Sequence, residues 1–232
     1  MSKPATFTDI IPADSLFGKL RTCAPDAWQS YVCHDFIKQL GNGTLPEAAF
    51  KHYLIQDYLF LIQFSRAYAL AVYKAEDLHA MRQFSGTVHA ILDMEMKLHL
   101  EFCEGWGLSE ADIIAQPEAR ACIAYTRYVL DRGHQGDVVD LQVALMPCMV
   151  GYAEIANRLT AIHIGHGLKC MRPKNSRTWQ RPRSSCLNIH PPRAGGIAAS
   201  KGWSRPLPWQ AALKPISGKW DLIWQNRPIS PI

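Results

Sequence analysis

The chain has 232 residues, of which 48% are hydrophobic and 19% are charged, a size and composition that suit one sizeable globular domain with at most a small appendage. We find no apolar run of the ~18 to 20 residues needed to cross a bilayer and no signal-peptide core near the N-terminus, so we expect a cytoplasmic protein. The seven cysteines are scattered and form no C-x-x-C pair, which argues against a disulfide framework or a zinc knuckle.

The net charge of +5 hides two unlike parts of the chain. Residues 1–159 carry 13 Lys and Arg against 19 Asp and Glu, whereas residues 160–232 carry 12 Lys and Arg against one acid, Asp221. The second part also holds nine of the 15 prolines and five of the seven tryptophans. We therefore predict a helical domain over residues 1–165 and an atypical basic tail, irregular as written, over residues 166–232.

The first part predicts a run of helices. Apolar residues recur at steps of three and four from Phe50 to Phe64, after a start signal at Pro46 and Glu47. No stretch alternates polar and apolar residues for long enough to predict a strand, so we expect an all-α helical bundle. The predicted helices cover 15–40 in one or two pieces, a segment starting at 46, 77–106, 118–130 with a stop at Arg132-Gly133-His134, and about 135–159.

Asp57 interrupts an apolar helical face between Tyr53, Leu54 and Leu61. A carboxylate near a core needs partners, because burying it unpaired costs several kcal/mol. Two interpretations stay open at this point. The residue is either an edge acid bonded to a neighbouring helix or a carboxylate directed into a pocket, where it would hold a polar ligand.

Cys148 follows Pro147 inside an apolar helical run. Free cysteine is commonly a buried and inert residue, but a proline within a helix frees a backbone carbonyl and bends the helix, as often occurs near ligands. Tyr152 is one turn further along the same face. The thiol and the phenol are therefore predicted to share one wall, either of the core or of a pocket.

Two further groups of residues are candidates for a site. Inward-facing tyrosines suggest a cavity with polar lining, because their hydroxyls need partners. Glu95 and His99, spaced by four, could share a metal with His89, although the repeated Glu-x-x-His signature of di-iron bundles is missing and surface or interhelix roles are favoured. The aromatic candidates are Tyr58, Phe60, Tyr125 and Tyr128.

Several segments, taken in order, resemble the TenA/thiaminase II family of aminopyrimidine aminohydrolases. They are Trp28, H-D-F from His34, G-T-L-P from Gly43, F-x-x-Y-L-x-Q-D-Y-x-F-L from Phe50, F-S-R-A-Y-A-L-A from Phe64, E-x-x-x-H from Glu95, A-Y-T-R-Y from Ala124 and A-L-M-P-C-M-V-G-Y from Ala144.

The resemblance implies a bundle of the haem-oxygenase-like kind, usually a homotetramer, that releases ammonia from aminomethylpyrimidine or the thiazole from thiamin and leaves hydroxymethylpyrimidine. It implies that Cys148 is the nucleophile that adds to the pyrimidine ring and that Tyr152 assists the thiol. Asp57 would hydrogen-bond the amidine edge of the ring, and Phe60 and Tyr125 would sandwich or line it. The resemblance implies no cofactor, no membrane and no nucleic-acid partner.

The tail departs from this family. The family's N-P-Y-x-x-W-type motif has only a faint counterpart at 175–179, and its last helix, with a glutamate before Phe-Trp, is absent as written. Read in a shifted frame, the codons allowed for residues 212–225 permit L-E-A-D-F-W. We therefore favour a frameshift in the tail over a functional basic segment.

Two alternatives to the hydrolase remain. One is a metal-dependent oxidase-type bundle that uses His89, Glu95 and His99. The other is a non-enzymatic regulatory protein whose basic tail binds nucleic acid.

Overall fold

The computed structural model describes residues 13–161, which are built from helices. No strand occurs within that range, so the all-α prediction is confirmed there. The tail predicted over residues 166–232, together with its proposed frameshift, lies outside the described residues. The helices are α1 (Leu16–Thr22), α2 (Pro25–Val32), α3 (Asp35–Asn42), α4 (Glu47–Lys74), α5 (Leu78–His89), a π-helix (Ala90–Glu95), α6 (Met96–Glu104), α7 (Glu110–Ile114), α8 (Arg120–Gln135) and α9 (Val138–Ala161).

Local capping chemistry sets the helix ends. The Ser15 hydroxyl accepts a hydrogen bond from the Gly18 amide at the start of α1, and the Asp77 carboxylate accepts one from the Ala80 amide at the start of α5. Gly43 ends α3 with φ of 75°, a left-handed conformation that glycine adopts without steric cost. These signals are local, which is why the sequence pattern located them.

The long helix α4 lies at the centre of the bundle, where it packs against α5, α6, α8 and α9. The apolar positions predicted for its first half are buried, including Phe50, Leu54, Leu61 and Phe64. Asp57 lies among them and is only 4% exposed. The helix therefore carries a carboxylate into the interior, and the surrounding helices must supply its partners.

The predicted segment 15–40 forms three helices rather than one or two. The first break precedes Pro25, which takes the first position of α2, and the second falls at His34, whose ring nitrogen accepts a hydrogen bond from the Phe36 amide. The predicted stop at Arg132-Gly133-His134 was wrong, because α8 continues to Gln135. Gly133 lies close to Leu70 and Leu141, so this glycine allows helices to approach rather than ending one.

Part of α9, from Val138 to Ala156, is long and apolar enough to span a membrane by length and composition alone, contrary to the absence of such a run in our sequence prediction. In the fold, 56% of the most apolar window in this segment is buried against other helices. A core helix of a soluble bundle passes the same test, so this observation is weak support for a membrane span.

Candidate functional site

Asp57 is the centre of a polar cluster contributed by three helices. One of its carboxylate oxygens, Oδ2, lies 2.9 Å from His99 Nε2 of α6 and accepts a hydrogen bond from the Tyr53 hydroxyl at 3.1 Å. The other oxygen accepts a longer bond, 3.4 Å, from the Tyr152 hydroxyl of α9. Asp57 thus bonds neighbouring helices, as the first interpretation expected.

The hydrogen bonds of His99 indicate its protonation state. Its Nδ1 lies 2.9 Å from the backbone carbonyl oxygen of Glu95, which can only accept, and its Nε2 faces the Asp57 carboxylate. With acceptors on both sides, we assign protons to both ring nitrogens, which makes the ring an imidazolium. Burial on its own lowers the pKa of His99, but the hydrogen bond and charge of Asp57 outweigh it, so the net pKa is raised.

The π-helix brings His99 to this position. It replaces the regular pattern over Ala90–Glu95, and the Met96 amide bonds to the Ile91 carbonyl five residues back. Such wide turns are rare and often occur at functional sites. Here the turn ends where Glu95 offers its carbonyl to His99, so it sets the direction from which α6 presents the imidazolium to α4.

Cys148 is 8% exposed and lies among tyrosines from several helices. Burial is the main reason that the pKa of each tyrosine is raised, and a negative charge on Cys148 adds to the shift in every case. These phenols therefore remain protonated at neutral pH. The four tyrosines are Tyr31, Tyr68, Tyr125 and Tyr152.

Helix α9 continues through Pro147, and Tyr125 binds its backbone immediately beside the proline. The Tyr125 hydroxyl donates to the Ala144 carbonyl at 3.0 Å and also bonds the Cys148 backbone. A side-chain hydroxyl on the helix ladder is one of the ways in which a helix accommodates a local irregularity. Tyr125 therefore fixes the turn that carries the thiol.

Phe60 and Tyr125 form a stacked pair, with ring centroids 5.9 Å apart and planes 9° apart. A flat ring held between two others needs about 7 Å, twice the ~3.5 Å contact distance of aromatic carbons. The observed spacing is too small for the sandwich that the resemblance allowed. The spacing leaves the other expectation, in which the two rings line the substrate ring, as a prediction.

The three residues of the alternative metal site do not come together. His99 is bonded to Asp57, whereas His89 pairs with Asp93 at the surface, where their side chains are 71% and 62% exposed. Among the described residues, no group of three histidine, cysteine or acidic side chains could hold a metal ion. Two of the aromatic candidates also lie elsewhere: Tyr58 donates to Glu110, and Tyr128 has Arg132 and Asp140 as charged neighbours.

The structure adds two residues to the predicted cluster. Tyr53 precedes Asp57 by four residues, so helical spacing alone could have identified it. For His99 the sequence favours a surface or interhelix role over a metal site, and the structure gives it an interhelix partner, Asp57, 42 residues away in the chain. No local pattern in the sequence reveals a contact over that separation.

Comparisons with known proteins support the bundle and its family. The chain matches the TENA/THI-4/PQQC family over residues 24–175. It is 36% identical over 150 residues to the aminopyrimidine aminohydrolase of Halalkalibacterium halodurans, a match that covers 65% of each chain. It is 33% identical over 139 residues to the aminopyrimidine aminohydrolase of Helicobacter pylori, covering 60% of this chain and 64% of that protein. The chain thus spans less than two thirds of the length of these relatives.

Solved structures agree on the fold. A TenA family transcription regulator from Silicibacter sp. TM1040 is 37% identical with a TM-score of 0.74, covering 90% of this chain and 96% of that one. A domain with a haem-oxygenase-like fold from Shewanella denitrificans has a TM-score of 0.50 at 14% identity, covering 90% of this chain and 92% of that one, and supports the fold alone. The predicted haem-oxygenase-like bundle is therefore confirmed. The matched segment contains Asp57, Cys148 and Tyr152 within one continuous region, and on this match the chain belongs to the TENA/THI-4/PQQC family.

Proposed function

We propose that this protein is a thiamin-pyrimidine salvage hydrolase that cleaves the C–N bond of aminomethylpyrimidine or thiamin to give hydroxymethylpyrimidine. The observation that carries the proposal is the cluster in which Asp57 and Tyr152 adjoin the helical turn of Cys148. The names of the two aminohydrolase relatives support the same substrate class.

The chemistry proposed for Cys148 is nucleophilic. The thiolate adds to a ring carbon of the pyrimidine, the electron pair enters the ring, and ammonia leaves from the methylene carbon with a proton. Water then adds to that carbon, the C–S bond breaks, and the aromatic ring is restored. The net reaction converts amine and water into alcohol and ammonia, and the thiol is regenerated.

The buried polar groups divide the remaining tasks. Asp57, held by His99 and Tyr53, would accept hydrogen bonds from the amidine edge of the ring and orient it. Burial and then the charge of Asp57 raise the pKa of Tyr152 well above its usual value, so Tyr152 would act beside the thiol as a neutral donor. Phe60 and Tyr125 would line the flat ring from one side.

The test is ammonia release from 4-amino-5-aminomethyl-2-methylpyrimidine. We expect release by the wild-type protein and its loss in Cys148→Ser, because a serine hydroxyl is a far weaker nucleophile at neutral pH. The matched control is Cys103→Ala. Burial raises the pKa of the Cys103 thiol to about 11, so this thiol is inert and its variant should retain activity.

Ammonia release by Cys148→Ser at the wild-type rate would refute the assignment of Cys148 as the nucleophile. Loss of release in both cysteine variants, with folding intact by circular dichroism, would also contradict the assignment.

We further propose that the protein is cytoplasmic and forms a homotetramer. We also propose that the protein uses no cofactor and binds neither a membrane nor nucleic acid.

A second candidate function is regulation through nucleic acid. It is favoured by the likeness to the Silicibacter protein, which is named a transcription regulator, and by the 12 basic residues against one acid over residues 160–232. A salt-dependent affinity for DNA would support it, because phosphate binding releases counterions. An affinity unchanged by deletion of residues 165–232 would eliminate the tail as the binding element.

A further inference from the structure

Tyr31 of α2 is one of the four buried tyrosines near Cys148 and was not among the predicted site residues. Its side chain is 0% exposed, and its hydroxyl has no hydrogen-bond partner within the part of the chain that the structure describes. A buried hydroxyl without a partner costs roughly 1 to 3 kcal/mol, so such groups are rare in folded proteins. The position therefore requires an explanation.

Close packing against α9 holds the Tyr31 ring in place. A Cβ atom added at Gly151 would overlap Tyr31 Cε1 and lie 2.7 Å from its hydroxyl oxygen, so the ring rests directly on the backbone of α9. Trp28 supports it from the edge, with ring centroids 5.8 Å apart, and donates its own indole N–H to Glu154 of α9 at 2.8 Å. The ring has little freedom to turn its hydroxyl elsewhere.

This contact places the hydroxyl beside the stretch of α9 that carries Cys148 and Tyr152. Gly151 lies three residues after Cys148 and immediately before Tyr152. After burial, the charges of Cys148 and Asp57 are among the causes that raise the pKa of Tyr31, which indicates that both groups lie within electrostatic range. Tyr31 therefore stays protonated and has a proton to donate.

Tyr31 differs from Tyr53, Tyr125 and Tyr152 in having no acceptor for its hydroxyl among the described residues. Tyr53 and Tyr152 donate to Asp57, and Tyr125 donates to the Ala144 carbonyl. An aminopyrimidine offers donors at its amino groups and acceptors at its ring nitrogens. An anionic Asp57 can accept hydrogen bonds from the amino groups, and a neutral O–H can donate one to a ring nitrogen.

We propose that Tyr31 is a substrate-binding residue whose O–H donates a hydrogen bond to a ring nitrogen of the bound aminopyrimidine. This inference rests on the proposed function, because it takes its ligand from there. It also gives Gly151 a role in the site, since any side chain at 151 would displace the ring that carries the donor.

The test compares Tyr31→Phe with its parent in a Cys148→Ser background, so that the ligand is not consumed. We expect Tyr31→Phe to bind 4-amino-5-aminomethyl-2-methylpyrimidine about 5- to 50-fold more weakly by calorimetry, the range for a ligand acceptor left unpaired. Without ligand, its melting temperature should be unchanged or higher, because the substitution removes an unpaired buried group. A purely structural role would not give weaker binding together with retained stability.

Tyr58→Phe is the matched control. Tyr58 is also buried, but its hydroxyl bonds Glu110 outside the cluster. This variant should melt at a lower temperature and bind the ligand as the parent does. Two analogues, each with one ring nitrogen replaced by C–H, identify the acceptor, because Tyr31→Phe should lose its binding defect with one of them.

Three results would overturn the inference. Binding by Tyr31→Phe within twofold of its parent, or a binding defect that persists with both analogues, would remove Tyr31 as a donor to the ring while leaving the proposed function in place. A lower melting temperature of Tyr31→Phe without ligand would show that the hydroxyl is already paired. Absence of binding by the parent itself would remove the proposed function and this inference together.

Discussion

Asp57 accepts hydrogen bonds from three side chains, but only His99 also supplies a charge. The pair is almost fully buried, with side chains 5% and 11% exposed. Removing one member of a buried pair typically costs ~3 to 5 kcal/mol, because the other charge then loses its partner. His99 is therefore the cationic partner that offsets the charge of Asp57 inside the bundle.

This pairing predicts how stability depends on pH. The pKa of His99 is higher in the folded protein than in the unfolded chain, so the pair stabilises fully below the unfolded value of about 6.5. The contribution should be lost as pH rises through the folded pKa. We expect the difference in unfolding free energy between wild type and His99→Gln, measured with urea, to shrink above neutral pH.

His89→Gln serves as the control, since His89 pairs with Asp93 at an exposed site where an ion pair contributes little. The difference in unfolding free energy between His89→Gln and wild type should stay small across the whole pH range. A difference for His99→Gln that grows with pH would mean that the ring is neutral in the folded protein.

The sequence predicts Asp57 and Cys148 as candidates because each interrupts an apolar helical pattern, and Tyr152 because it is one turn from Cys148. The sequence could not identify the pairing of Asp57 with His99 or the contact of Tyr31 with Gly151. Those depend on how helices distant in the chain come together, and spacing within one helix carries no information on that.

At the level of the helices, the crossing of α2 and α9 depends on one glycine. Gly151→Ala would drive a methyl group into Tyr31 Cε1, and a ring packed on all sides cannot move aside cheaply. We expect the variant to lose about 1 to 3 kcal/mol of unfolding free energy, as overpacked cores do. Chemical denaturation would measure the loss.

Gly86 of α5 is the matched helical glycine, because a Cβ added there meets nothing within 4 Å. Gly86→Ala should leave stability unchanged or raise it by up to about 1 kcal/mol, the difference in helix propensity. Equal effects at the two glycines would contradict the tight crossing.

Helix positions were easier to predict than helix ends and irregularities. Helix α4 carries apolar residues over several turns, so its length and composition made it easy to predict. Gly133 was taken as a stop because glycine commonly ends helices, but here the missing side chain allows contact with Leu70 and Leu141. The π-helix left no pattern, because it differs from an α-helix by only one residue in each hydrogen bond.

At the level of the whole molecule, the predictions concern the tail and the assembly. Native mass spectrometry of the protein expressed from its own gene would test both. A subunit of 26.1 kDa with peptides such as K-P-I-S-G-K would show that the tail is translated as written. A different subunit mass that fits a chain ending in Glu-x-x-Phe-Trp would support the frameshift.

In the same experiment we expect a complex of four subunits. A monomer would refute the homotetramer, whichever tail is present.

The wide turn at Ala90–Glu95 has a consequence for how this protein can vary. Deleting one residue there would allow an ordinary α-helix, in which hydrogen bonding is more regular, so the local change need not be harmful. The wide turn accommodates one extra residue, so after this deletion His99 would still face Asp57, whereas an ordinary α-helix of unchanged length would rotate His99 away by about 100°. The segment thus tolerates the loss of one residue more readily than a return to α-helical bonding at its present length, and the wide turn is itself part of the site.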